Sequence, residues 1–129
     1  MKKICLLFAA VLLLTASGCG RYVSHYKAIG FAHSNASDSA FMSFYSFDGR
    51  MVFKLRCKNG SDGQLRYSAK LESGSAAVYY DDNGTKTALC TVAAGDALES
   101  SVGLSEKGTV YVIVETSEPC MNGDFSFAV

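Results

Sequence analysis

The residues with the widest chemical range in this chain are five cysteines and two histidines, and their spacing decides what they can do. Cys5 lies in the apolar leader, and Cys19 follows the small residues Ala16, Ser17 and Gly18. Cys57, Cys90 and Cys120 then remain for the folded part. Three thiols in an oxidising compartment close one bridge and leave one over, in three ways. Cys57 ends an alternating, inward-facing set, and Cys120 reads as part of the loop before the last strand. Antiparallel pairing of those strands would join Cys57 to Cys120, whereas an anaerobic host would leave all three reduced. Cys90, between Leu89 and Val92, reads as a small buried hydrophobe. No C-x-x-C spacing offers a structural zinc site, so no metal is expected.

His25 and His33 sit in no motif that supplies a nucleophile and an orienting third group, as covalent catalysis requires. G-x-S-x-G, H-E-x-x-H and phosphate-cradling glycine loops are missing from the sequence. "YYDDNGT" (79–85) gathers Asp81, Asp82 and Asn83, but without the EF-hand spacing it reads as a solvated hairpin turn, as does "NGSDG" (59–63). The expectation is a protein that is not an enzyme and has no cofactor.

Aromatic side chains offer a different chemistry, recognition by stacking. The 7 Tyr and 8 Phe come without Trp, which weakens a sugar-binding reading and leaves Tyr platforms open. In "AFMSFYSF" (40–47), alternation puts Phe41, Ser43, Tyr45 and Phe47 on one face and Met42, Phe44 and Ser46 on the other. A strand apolar on both faces is either covered twice or presents a contact surface. Covering by "YVSHYKAIGFA" (22–32) is the first expectation, with an exposed recognition strip as the sharper alternative. Tyr79 and Tyr80 are neighbours on one strand, so one of them must point outward; the candidate binding residues are therefore Phe41, Tyr45, Phe47, Tyr79 and Tyr80.

The elements that must position these groups begin after a leader. Lys2 and Lys3 precede an unbroken apolar run from Ile4 to Leu14, too short for a span of about 20 residues and suited to the core of a secretory signal. Ala16-Ser17-Gly18-Cys19 resembles the bacterial lipobox, departing from it at Ala16, where that family prefers leucine. The resemblance implies cleavage after Gly18, a diacylglycerol thioether on Cys19, and an address at a bacterial cell membrane or outer membrane on the exported side. Two or three acyl chains make a lasting anchor where one does not. Gly20 resembles the residue found in lipoproteins that are not kept at an inner membrane by an aspartate there. Cleavage leaves ten Lys and Arg against the 12 Asp and Glu, a net −2, and no basic stripe that would suggest nucleic acid.

From there the sequence is short β-rich runs punctuated by Gly, Asn and Asp. "MVFKLRCK" (51–58) alternates, with Phe53, Leu55 and Cys57 inward, and the Asp48-Gly49 pair before it predicts a hairpin with "AFMSFYSF". "QLRYSAKLE" resumes with Leu65, Tyr67, Ala69 and Leu71 inward; "TVYVIVE" is the most apolar strand; "DFSFAV" closes with Phe125 and Phe127 on one face. Eight or nine strands at this spacing predict an all-β fold, a single antiparallel β-sandwich. Glu106 to Val129 is similar to the end of bacterial pre-peptidase C-terminal and related jelly-roll domains, which implies a jelly-roll-like sandwich and little about function. The expected organisation is a signal peptide over 1–18, a lipidated lead-in over 19–39 and a sandwich over 40–129. The function that fits is a membrane-anchored, non-catalytic binding or accessory module for an envelope protein, peptide or glycan. A structural or stress lipoprotein, and more remotely a small hydrolase with His25 or His33 in a pocket, are the alternatives.

Overall fold

The computed structural model describes residues 22–58, 62–105 and 108–129, so the leader and Cys19 lie outside the described residues. Nine strands form: β1 (His25–Ile29), β2 (Ala32–Asn35), β3 (Ser39–Cys57), β4 (Gln64–Ser73), β5 (Ser75–Asp81), β6 (Thr87–Ala93), β7 (Ala97–Gly103), β8 (Gly108–Thr116) and β9 (Cys120–Ala128). They pair in the order β6-β5-β8-β3-β9-β4-β7, with β1 and β2 on the other edge of β3, and every pairing is antiparallel. The all-β antiparallel sandwich predicted from turn spacing is the fold observed.

The register explains how one hydrogen-bonded network becomes two layers. β9 pairs with the first half of β3 (39–47) and β8 with the second (50–57). Both lie on the side of β3 away from β1 and β2, so β8 and β9 run end to end along one long strand. β5 and β4 continue end to end beyond them, and β6 and β7 beyond those. The ribbon folds over near its middle, giving a β8 layer (β6-β5-β8-second half of β3) and a β9 layer (β2 and β1, first half of β3, β9-β4-β7).

The crease has a chemical cause. At Gly49 φ is +137°, and a Cβ there would fall inside the His25 carbonyl and within 2.6 Å of Tyr26 Cα. At Gly74 φ is +95°, and a Cβ would come within 2.7 Å of the Pro119 carbonyl and 2.8 Å of Cys120 Cα. Only glycine permits such backbones to approach this closely. The hairpin predicted at Asp48-Gly49 is therefore not a hairpin: β3 runs through it for 19 residues, and the glycine makes a corner. β3 instead forms a hairpin with β2, closed by Ala36 N–H to the Ser39 carbonyl.

Side chains from both layers meet in one core. Phe53 lies 6.0 Å from Phe127 and Phe44 6.2 Å from Phe125, between ring centroids. Leu55, Leu65, Ala69, Leu71, Val110, Val112 and Val114 fill the rest. Alternation along β3 slips once, so that Ala40, Met42 and Phe44 point inward before the slip and Phe47, Met51, Phe53, Leu55 and Cys57 after it. β9 slips opposite, where Asn122 has φ +48°.

Beyond Arg50, β3 has no strand on its outer edge among the described residues, and two side chains and a carbonyl stand in for one. Asn35 Oδ1 accepts from Lys54 N–H at 2.9 Å while Asn35 Nδ2 donates to the Lys54 carbonyl at 2.8 Å. Ser24 Oγ accepts from Val52 N–H at 2.9 Å, and the Ser37 carbonyl accepts from Arg56 N–H at 2.7 Å. The edge is thereby satisfied and blunted against further pairing. Asn35→Ala removes two of these bonds at a solvent-exposed site and should lower the unfolding free energy by about 1–2 kcal/mol. Gly74→Ala forces backbone displacement at the crease and should cost more than Asn35→Ala, both read from chemical denaturation of the two variants in parallel.

Candidate functional site

The outer face of the β9 layer combines exposed rings with hydrogen-bonding groups. Phe41 and Tyr45 are 42% and 53% exposed, the largest exposed rings of the described residues. Their neighbours explain why. Phe41 has Ser34 opposite on β2 and Ser126 opposite on β9, and neither serine is large enough to cover a ring. Tyr45 lies beside Gly30, which has no side chain to lay over it. The two rings are four residues apart on one face, about 13 Å at strand rise.

Polar rows cross the sheet beside them. One runs Ser34, Phe41, Ser126, Ser68, Glu99, and the next Ala32, Ser43, Asp124, Lys70, Ala97. Asn122, whose Nδ2 donates to Glu72 Oε1 at 3.2 Å, lies at the end toward Tyr45. Two shallow open depressions lie on this face. One of about 340 Å³ includes Phe41, Arg66, Ser68 and Ser126, and one of about 480 Å³ includes Ser43, Lys70, Asn122 and Asp124. A ring flanked by hydroxyls, an amide and a carboxylate can stack against the apolar face of a ligand while the polar groups bond its edge.

The other sequence-predicted binding residues lie elsewhere. Phe47, expected beside Phe41 and Tyr45, is fully buried because alternation slips between Phe44 and Phe47. It is covered by the lead-in, with Tyr26 stacked on it at 5.2 Å and Phe31 at 5.6 Å. The expected covering of the strand by 22–32 thus holds for Phe47 alone, while Phe41 and Tyr45 form the strip. Tyr80 packs against the core, and Tyr79 is half-buried on the outer face of the β8 layer with Lys86 Nζ 4.4 Å above its ring. These two tyrosines share no surface with Phe41 and Tyr45.

The cysteines are also separated. Cys57 pairs across from Gly108 and Cys120 from Phe47, ten residues apart along β3 and on opposite sides of the crease. The Cys57 to Cys120 bridge expected from sequence does not form, because β9 pairs with the first half of β3, which ends at Phe47, and not with the half that ends at Cys57. Cys120 Sγ donates to the Ser75 and Glu118 carbonyls at 3.4 Å, and burial pushes its thiol up from the ordinary value, partly offset by the Ser75 bond. Burial also raises Cys90, half-buried on β6 opposite Val78. Neither is a poised nucleophile. His33 stacks on Phe31 at 4.9 Å, and His25 borders a depression with Arg50, Glu115 and Thr116. Among the described residues no group of three His, Cys, Asp or Glu could hold a metal ion. Asp81, expected from sequence in a solvated turn, is instead buried, and it accepts from Tyr22 Oη at 2.6 Å, Gly84 N–H at 2.6 Å and Asn83 N–H at 3.2 Å. Its "DDNG" context signals a side chain bonding its own turn, but nothing in the sequence announces a tyrosine 59 residues away.

No family model matches the chain, and no curated protein matches it in sequence. Among solved structures it is similar to a family 29 carbohydrate-binding module complexed with mannohexaose, at 11% identity over 83% of this chain and 89% of that one, TM-score 0.40. It is similar to Drosophila melanogaster CENP-C bound to CAL1, at 13% identity over 94% and 95%, TM-score 0.35. It is also similar to a cupin superfamily protein from Desulfitobacterium hafniense, at 14% identity over 86% and 81%, TM-score 0.34. These likenesses are remote, and the fold is defined by the strand pairing itself.

The exposure pattern separates recognition from stability. Phe47→Ala should cost about 3–5 kcal/mol in thermal or chemical unfolding. Phe41→Ala and Tyr45→Ala should each stay within about 1 kcal/mol of the parent, since solvent-facing substitutions away from caps and networks have small effects.

Proposed function

We propose that this protein is a non-catalytic binding module held at a bacterial envelope by lipid on Cys19, and that it binds a glycan across the outer face of the β9 layer. The observation that carries the binding reading is the pair of exposed rings, Phe41 and Tyr45, standing over rows of Ser, Asp, Lys and Asn on an open sheet face. An open, shallow face suits an extended ligand better than it suits catalysis, which needs reacting groups enclosed and aligned. The anchor reading rests on the Ala16-Ser17-Gly18-Cys19 motif and the apolar run before it.

Titration calorimetry against a panel of soluble envelope and plant-type polysaccharides tests the first part. At least one glycan should bind, and Phe41→Ala and Tyr45→Ala should each weaken it by about tenfold, as expected for an anchoring ring. Binding that survives both substitutions would remove the β9-layer face from consideration. For the anchor, Cys19→Ala should shift the protein from the membrane to the soluble fraction or leave an uncleaved precursor. A cleaved Cys19→Ala protein that stays with the membrane would refute lipid attachment at that residue.

A further inference from the structure

The two outer faces of the sandwich differ in charge, and the described chain begins on one of them. The Tyr22 ring meets Tyr111 edge-on at 5.5 Å while its hydroxyl is held by Asp81. Tyr111 lies between Asp81 on β5 and Lys54 on β3 in register, so Tyr22 crosses the outer face of the β8 layer. Among the described residues Asp81 otherwise accepts only from amides of its own turn, so the Tyr22 hydroxyl links the N-terminal segment to β5, as Ser24 links it to β3.

Lys54, Arg56 and Lys58 form an exposed outward row on the same face, beside Tyr111 and Thr109. None of the three makes an ion pair among the described residues, whereas Arg50 and Lys86 share the single carboxylate of Glu115. On the opposite face Arg66 and Lys70 are interspersed with Glu72, Glu99 and Asp124. The positive excess therefore belongs to the β8 layer.

Only Gly20 and Arg21 separate Cys19 from Tyr22, a reach of at most about 11 Å. We propose that the outer face of the β8 layer rests on anionic phospholipid headgroups through Lys54, Arg56 and Lys58, with Val23, 69% exposed beside Tyr22, entering the interface. This rests on the lipid anchor at Cys19 proposed above. Cations within a Debye length of an anionic leaflet are attracted to it, and a lipid chain combined with a basic patch holds better than either alone. The face bearing Phe41 and Tyr45 is then turned away from the membrane.

The test uses the full-length acylated protein reconstituted into phosphatidylcholine vesicles with or without phosphatidylglycerol. Lysines are modified with an amine-reactive reagent and the rates read by mass spectrometry. Lys54 and Lys58 should react several-fold more slowly on the anionic vesicles, the protection should vanish at high salt, and Lys70 should react alike on both. Combining Arg56→Gln with Lys58→Gln should relieve the protection of Lys54 while leaving the protein on the vesicles. An anchored protein whose Lys54 and Lys58 react equally on both vesicle types, or one protected at Lys70 instead, overturns the proposal while the anchor stands. Protection of Lys54 in native membranes but not on vesicles would assign the face to a protein partner and also overturn it. Loss of the anchor itself reads differently: the peptide carrying Cys19 shows no added lipid mass, and the protein fails to float with either vesicle, in which case the proposal falls with it.

Discussion

The structure depends on how closely backbones can approach at the crease. Tyr26 passes Gly49, and Pro119 and Cys120 pass Gly74, at separations that admit no β-carbon. Because both contacts lie along one line across the strands, a ribbon of long strands can fold over without interrupting its hydrogen-bond ladders for more than a few residues. The two layers are thus halves of the same strands, and the apolar residues of each half face their own continuation. Burial of Phe53 against Phe127 follows from that fold-over, while Phe44 meets Phe125 within the β9 layer.

The same crease gives the two outer faces different side chains. Around it the alternation of β3 slips, which turns Phe47 inward under Tyr26 and Phe31 and leaves Phe41 and Tyr45 outward. Beyond it, the outward positions of β3 become Lys54 and Arg56. One strand therefore carries an aromatic strip on one side of the molecule and a basic row on the other. Small cross-strand neighbours, Ser34, Ser126 and Gly30, keep the rings uncovered, and among the described residues the basic row makes no ion pair.

Much of this was legible in the residues, and the remainder has identifiable causes. Period-two alternation placed Phe53, Leu55, Cys57, Leu65, Ala69, Leu71, Phe125 and Phe127 inward, because a half-buried strand writes its burial directly into its sequence. Asp48-Gly49 was misleading because a tight hairpin and a corner both call for glycine at positive φ; the decisive fact, the passage of β1 across it, is non-local. The cysteine expectation failed on an equally non-local pairing, since β9 lies against the first half of β3 and not the half that ends at Cys57, and Phe47 leaves the face of Tyr45 where the alternation slips. The exposed pair Phe41 and Tyr45 was legible as a candidate strip, but its exposure is decided by cross-strand neighbours that no local pattern reveals. The Asn35 clasp on Lys54 and the Tyr22 tie to Asp81 were invisible for the same reason.

The position of β9 has a kinetic consequence. β9 lies between β3 and β4, which begin more than 50 residues earlier in the chain, so neither can complete its ladder until the nine residues of β9 are present. Apart from the β2-β3 and β5-β6 hairpins, the pairings join distant segments, and loop-closure entropy must be met before they stabilise anything. Formation of these ladders therefore waits on contacts between segments far apart in the chain more than on local hairpins.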